Sequence, residues 1–297
     1  MAAPYPICYL NGEYTRLDAA RVSPLDRGFL FADSVYEVLP VYDGRMYRFR
    51  EHFDRLARSL AEIRIASPHT HEEWLLLLTR LVAENGARTS YIYVQVTRGM
   101  EFGRNHTFPA DSKPTVFALC SPLPDLTDAI RESGVSAITI QDFRWRRCDI
   151  KSTMLLANVL MKQAAAEVGA NEAIIVDGSN VLEGSSTSVY VIRHGVIVTP
   201  PNSIRILPGT TRDAVLELAK NVIPCAVRSI DIDELSKADE VWISAATRDV
   251  LPVTSIDGNA VGTGQPGPLW QRMIELFEAD RRKLHGTPAF DSVGAQS

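Results

Sequence analysis

The chain has 297 residues, 45% of them hydrophobic and 23% charged, an ordinary globular composition with room for one large or two mid-sized domains. A net charge of −5 gives no basic footprint, so nucleic acid is not an expected partner. The N-terminus MAAPYPICYLNGEY carries no basic region followed by an apolar run, no stretch nears the ~18 apolar residues of a membrane helix, and the four cysteines form no CxxC; a reduced, cytoplasmic protein away from membranes is expected.

In chain order, Ile7 to Leu10 and Glu13 to Arg16 flank Asn11-Gly12, a hairpin with a type I′ turn. A second hairpin turns at Asp43-Gly44, between Val35 to Tyr42 and Arg45 to Phe49. Phe53, Leu56, Leu60 and Ile63 recur at helical spacing within Glu51 to Ile65, and Thr70 to Glu84 reads as another amphipathic helix. Ser90 to Thr97 alternates as a strand, Arg98 to Pro109 reads as a loop, and Thr115 to Leu119 as a strand. The proline-rich run Ser121-Pro122-Leu123-Pro124-Asp125 marks a connector. Beyond it, strands are expected at Val135 to Phe143, Ala173 to Val176, Ser188 to Ile192, Val196 to Thr199 and Val241 to Ser244. Helices are expected at Thr153 to Val168, Thr210 to Asn221 and Pro268 to Leu284. The expected organisation is two mixed α/β domains, 1–120 and 135–285, joined by a connector at 121–134, with a disordered polar tail at 286–297.

There is no GxGxxG after a strand, no GxxxxGK[ST], no GxSxG and no HExxH, and the six histidines do not space as a metal site. Three segments remain. In Arg144-Trp145-Arg146-Arg147-Cys148-Asp149-Ile150-Lys151-Ser152 a strand ends in a cationic cluster, and one of only six lysines precedes a helix. A helix start disfavours a cation, and that field with the nearby arginines favours the neutral amine a Schiff-base nucleophile needs; a solvated surface lysine is the plainer alternative. Glu183, in Leu182-Glu183-Gly184-Ser185-Ser186-Thr187, is either part of a polar turn or a carboxylate placed to hold a pyridine nitrogen protonated. Leu207-Pro208-Gly209-Thr210-Thr211-Arg212 opens a helix, where simple capping and phosphate binding by free N–H groups are compatible readings.

Taken together, in order and spacing, these segments resemble the fold type IV family of pyridoxal-phosphate enzymes over roughly Ile7 to Leu284. Within that family the similarity is greatest to the D-amino-acid transaminase subgroup. It is carried also by Asp26-Arg27-Gly28, Val35-Tyr36-Glu37-Val38, Glu51-His52-Phe53-Asp54-Arg55-Leu56, Gln95-Val96-Thr97-Arg98-Gly99 and Arg104-Asn105-His106. The resemblance implies that Lys151 carries pyridoxal 5′-phosphate as a Schiff base and moves the substrate's α-proton. It implies that Glu183 faces the pyridine nitrogen, that Arg55, Thr211, Thr247 and the N–H groups near Thr210 hold the phosphate, that Leu207 packs on the ring, and that Arg144 supports the site. Tyr36, with Arg104 and His106 supplied by the second subunit of a homodimer, would trap the substrate carboxylate. Amino acids and 2-oxo acids are then the small-molecule partners, and transfer of an amino group from a D-amino acid to a 2-oxo acid is the implied reaction. Alternatives are an (R)-selective amine or branched-chain L-amino-acid aminotransferase, a lyase of the aminodeoxychorismate lyase type, and a cofactor-binding scaffold. Ala32, Ser34 and Ala246 depart from residues common in the family.

Overall fold

Asn11 and Gly12 take φ values of 51° and 101°, the left-handed pair a two-residue turn requires, and fold β1 (Ile7–Leu10) onto β2 (Glu13–Arg16). The computed structural model describes residues 2–124 and 128–284. Residues 125–127 of the expected connector and the expected disordered tail, 286–297, lie outside the described residues. The chain forms two compact units. Of the described residues, one holds 2–124, Ile150–Met154 and 281–284; the other holds 128–149 and Leu155–Asp280.

In the first unit, a short helix α1 (Arg27–Phe31) leads to β3 (Ser34–Tyr42) and β4 (Arg45–Met46). Helices α2 (Phe49–Glu62) and α3 (His71–Asn85) follow, then β5 (Ser90–Thr97) and β6 (Thr115–Pro122). The six strands form an antiparallel sheet in the order β2-β1-β6-β5-β3-β4. Thr70 starts α3 with a reciprocal capping box to Glu73, and Gly86 ends it in the left-handed region. Alternate residues of β3 and β5, among them Val35, Leu39, Val94 and Val96, bury against Phe53, Leu56 and Leu60 of α2 and Leu78 and Leu81 of α3. Strand β6 runs through Ser121 and Pro122, which the sequence suggested as a connector. Pro122 pairs with Ser90 at the strand's last residue, where a missing donor costs little.

The second unit contains α4 (Asp128–Ser133), β7 (Val135–Gln141), α5 (Leu156–Glu167), β8 (Glu172–Asp177), β9 (Asn180–Gly184), β10 (Ser188–Arg193), β11 (Val196–Thr199) and α6 (Thr210–Ala219). It continues with β12 (Cys225–Val227), β13 (Ile230–Asp231), α7 (Ile232–Ser236), β14 (Glu240–Ala245), β15 (Asp249–Ile256), β16 (Asn259–Ala260) and α8 (Pro268–Leu284), whose last residues group with the first unit. Its mixed sheet runs β12-β11-β10-β14-β15-β7-β8-β9-β13, with β16 on β15; β7 is parallel to both β8 and β15. Ile174 and Val176 of β8 bury with Val135, Val189 and Val241, whereas Ala173 and Ile175 bury on Met161 and Ala165 of α5. Burial on both faces explains the unbroken apolar run of this strand.

The helix expected from Thr153 begins only at Leu156. Thr153 is drawn aside by Ser34, whose carbonyl accepts from the Thr153 N–H at 3.1 Å and whose hydroxyl bonds the Thr153 hydroxyl. Lys151 therefore stands ahead of the first helical turn, and the helix-dipole argument made from the sequence does not apply to it.

Candidate active site

Lys151 is placed by β3 and α2. Its carbonyl accepts from the Tyr36 N–H at 2.9 Å, its own N–H donates to Ser59 Oγ at 3.3 Å, and the following Ser152 bridges Val35. Ile150 anchors the segment in the first core. The half-buried Lys151 Nζ lies 4.3 Å from the centroid of the Tyr36 ring, and Tyr36 in turn stacks on Tyr93 at 5.7 Å. Burial, with Tyr36 beside it, pushes the Tyr93 phenol up to about 12.

Behind Tyr36, on the core-facing side of β3, lies Glu37. It has no exposed surface, and Arg55, His52 and the Val38 N–H meet it, the last at 3.3 Å. Arg55 Nε and Nη2 donate to its two oxygens at 2.7 and 2.9 Å, and His52 Nδ1 sits 2.8 Å from Oε2. Burial alone would raise this carboxyl; the Arg55 charge and bonds, with His52, hold it far below the usual carboxylate range. His52 is lowered, chiefly by its own burial against the opposing pull of Glu37. The sequence singled out Arg55 but gave no role to Glu37 or His52. The legible signal was a glutamate at a core-facing position of an alternating strand.

In the second unit, Glu183 closes β9 at 7% exposure. Arg144 Nη1 donates to its Oε1 at 2.5 Å and the Leu207 N–H donates to Oε2 at 3.0 Å. Arg144 also grips Asp142 through Nε at 3.0 Å and Nη2 at 3.2 Å. Burial works against the Arg144 charge, but Asp142 and Glu183 more than offset it and raise the guanidinium above its ordinary value. The turn after Glu183 is pinned by Glu172, a fully buried carboxylate the sequence reading missed. It accepts from Ser185 Oγ, from Ser186 Oγ at 3.1 Å, from Thr187 Oγ1 at 3.3 Å and from the Ala173 N–H at 2.9 Å. A Cβ on Gly184 would sit 2.0 Å from Thr187 Oγ1, so only glycine fits there.

Helix α6 opens at Gly209 with no side-chain cap; Thr210 is buried and Leu207 and Thr211 half-buried. The backbone N–H groups of such a start, aligned with the helix dipole, suit an anion. A Cβ on Gly209 would meet Ser188 Oγ at 2.6 Å, which keeps this turn close to β10. Thr247 is half-buried in the turn between β14 and β15, next to Ala246. Arg104 and His106 lie exposed in the loop between β5 and β6, brought together on Phe31: the Arg104 Cζ is 5.0 Å and the His106 ring 5.3 Å from its centroid. Among the described residues no cluster of His, Cys, Asp and Glu could hold a metal ion, and no helix is long and apolar enough to cross a membrane.

Comparison with known proteins gives one family. The family model "Amino-transferase class IV" matches residues 34–256. A D-alanine aminotransferase of Staphylococcus haemolyticus is 39% identical, covering 91% of this chain and 95% of that protein. One of Bacillus licheniformis is 43% identical, covering 87% and 91%. Among solved structures, the branched-chain amino acid aminotransferase from Escherichia coli aligns with a TM-score of 0.84 at 26% identity, covering 93% and 94% of the two chains. A branched-chain amino acid aminotransferase from T.th., solved with pyridoxamine 5′-phosphate, aligns at 0.86 and 27%, with the same coverage.

Glu37 and His52 set an acid limit on stability. Both are lowered in the folded protein, so the unfolded chain binds more protons and stability falls as pH drops. The contribution is whole above the unfolded values, and is lost first below about 6.5 for His52, then below about 4.3 for Glu37. Melting temperatures measured from pH 8 down to 3.5 should fall across both windows. In Glu37→Gln the lower window should flatten, with stability at neutral pH reduced by about 3 kcal/mol because Arg55 loses its counter-charge. An acid slope below pH 4.5 as steep as that of the parent would reject this account.

Proposed function

This chain belongs to the amino-transferase class IV family, and from that premise we propose that it transfers the amino group of a D-amino acid such as D-alanine to a 2-oxo acid such as 2-oxoglutarate, using pyridoxal 5′-phosphate. The observation that carries this reading is similarity to D-alanine aminotransferases over nearly the whole of both chains. The residues fit the cofactor's three chemical handles. Lys151 offers an amine, Glu183 a carboxylate fixed by two donors, and the start of α6 an anion-binding turn without a side-chain cap.

When bound, the cofactor supplies an electron sink for the charge left at the substrate Cα. Lys151 would hold the cofactor through Nζ, and its free amine would take and return the substrate's α-proton. Glu183 keeps the ring nitrogen protonated, and Arg144 keeps Glu183 in place. Leu207 supports the ring; Arg55, Thr210, Thr211 and Thr247 hold the phosphate. Tyr36, with Arg104 and His106, binds the α-carboxylate, Arg104 as a bidentate fork that a lysine cannot match. The trap is completed in a cytoplasmic homodimer. Phe29 and Phe102 of the first unit, 77% and 86% exposed, and Leu156, Val159 and Leu160 of the second are large apolar side chains left uncovered in one chain, as a subunit interface would leave them. A branched-chain L-amino-acid aminotransferase is the second reading, favoured by the structural neighbours. Assay of D- and L-amino acids with 2-oxoglutarate decides between them, and turnover confined to the L-series would overturn the first.

Three variants test the residue roles. Borohydride should bleach the visible band of the protein and leave a reduced adduct on Lys151; an adduct on Lys162 or Lys220 would displace the assignment, and Lys151→Ala should lose transamination entirely. Glu183→Gln should keep the cofactor yet lose at least about a hundredfold in rate, the scale of removing one electrostatic stabiliser. Arg104→Ala should lose roughly ten- to a hundredfold in kcat/KM for D-alanine, because a charged hydrogen bond is worth ~1.5–3 kcal/mol. An unchanged kcat/KM would remove Arg104 from the trap.

A further inference from the structure

Arg27 is an arginine whose side chain is only 4% exposed, on the short helix α1, far in sequence from the loop it touches. A buried cation must be met by acceptors or it destabilises the fold. Its partners divide into two groups. One is Asp33, which accepts from Arg27 Nε at 2.9 Å. The other is the loop between β5 and β6: Glu101 Oε2 at 3.0 Å and the Asn105 carbonyl at 2.6 Å accept from Nη1, and the His106 carbonyl accepts from Nη2 at 3.4 Å. The Arg27 Cζ also lies 4.9 Å from the Phe31 centroid, on the ring that gathers Arg104 and His106.

The base of the loop is tied to the same scaffold. Asp33 takes a second, bidentate grip from Arg98 at 2.7 and 2.9 Å, and Arg98 lies 3.7 Å from the centroid of Phe108, at the loop's far side. The Arg27 N–H donates to the Gly99 carbonyl, and Asp26 bridges Met100. Gly99 has φ +94°, and a Cβ there would lie 1.9 Å from the Lys113 carbonyl, so the two ends of the loop are in close approach. Asp33 is held below the usual carboxylate range by Arg98 and Arg27 despite its burial.

We propose that Arg27 is a positioning residue for substrate recognition: from within the fold it fixes the backbone of Asn105 and His106, and so the direction in which Arg104 and His106 present their side chains to the substrate carboxylate. This rests on the carboxylate-trap reading above. The fork is what the position requires. One guanidinium serves an aspartate, a glutamate and two carbonyls at once, and a lysine at the same place is a point charge that cannot reach both groups.

The test uses Arg27→Lys and Glu101→Gln in the cofactor-loaded enzyme, the second because it weakens the same link while keeping the guanidinium and its Asp33 partner in place. Expected for Arg27→Lys is an unchanged visible band, a KM for D-alanine raised about tenfold with kcat within about twofold, and faster trypsin cleavage after Arg104 than in the parent. Glu101→Gln should shift KM and cleavage the same way by a smaller factor. In an Arg104→Ala background, Arg27→Lys should add little further rise in KM, since both act through one group. Full additivity in that double variant, or an unchanged KM and cleavage rate in both single variants, overturns the proposal. If Arg27→Lys fails to fold, the Glu101→Gln comparison decides alone. Faster cleavage together with an Arg104→Ala enzyme of parental KM leaves the loop anchor standing and rejects the carboxylate trap instead.

Discussion

Glu37 occupies a core-facing position of β3 with no exposed surface, yet carries a charge, and the placement of Lys151 follows from how that charge is met. An ionised carboxylate in such a place needs both of its oxygens satisfied. Helix α2 does this with His52 and Arg55, three residues apart and therefore on one face. That fixes the rotation of α2 against β3. Ser59, one turn further along the same face, then reaches the Lys151 N–H, while Tyr36, next to Glu37 on the strand, donates to the Lys151 carbonyl. The lysine backbone is thus held on two sides by the two elements that Glu37 locks together.

The second unit solves its own placement problem in the same way. Arg144 is shared between Asp142 and Glu183, and Arg205 also reaches Asp142 at 3.0 Å, so Glu183 has little freedom to turn away. A polar network whose members are satisfied is rigid, and losing one member leaves a buried charge without its partner. Glu172 does for the following turn what Asp142 does for Arg144: three hydroxyls and one backbone N–H converge on it, and Ser185 and Thr187 are buried against it while Ser186 reaches it from the exposed side of the turn.

How much of this was legible depended on whether the signal was local. The hairpin at Asn11-Gly12, the helix carrying Phe53, Leu56 and Leu60, and the alternating strand at Ser90–Thr97 each encode their structure in a few neighbouring residues; the hairpin and the strand form where the sequence put them, and the helix forms two to three residues earlier at each end. Lys151, Glu183 and the helix start at Thr210 were singled out because their residue types fit a chemistry and because the order of the three resembled a family; of these, the helix start forms at Thr210. What stayed hidden was decided by distant partners. Thr153 is helix-permissive by sequence but is taken by Ser34. Strand β15 contains Pro252, a residue type that disfavours a strand interior; its partner across the ladder is Trp242, and the pairing with β7 starts at Val253 with a register shift before Ser255. Glu172 and Arg27 are charged residues in ordinary-looking runs, and nothing local says that they are buried; for Glu37 the alternation of β3 gives its core-facing position but not the partners on α2 that meet it.

The scarcity of lysine has a structural reason in these networks. Arg27, Arg55, Arg98 and Arg144 are each buried, and each spans at least two oxygen acceptors with a planar fork. An ammonium on a flexible stem loses more entropy when fixed and serves such paired acceptors poorly. Where the only need is to place a cation between carboxylates and carbonyls, arginine is therefore the better residue, and the chain uses it throughout. An arginine cannot release its proton in the range where proteins work, so it cannot act as a nucleophile or pass a proton. Lysine is the residue to use where that reactivity is wanted. Lys162 shows the other limit: half-buried, it sits 3.5 Å from Glu172 and donates to the Asn171 carbonyl, tied to the scaffold as an arginine would be. Lys151 instead has its backbone held by Tyr36 and Ser59 while its amine lies over an aromatic face. The contacts that fix the residue are on its main chain, so its side chain can move without dismantling what holds it.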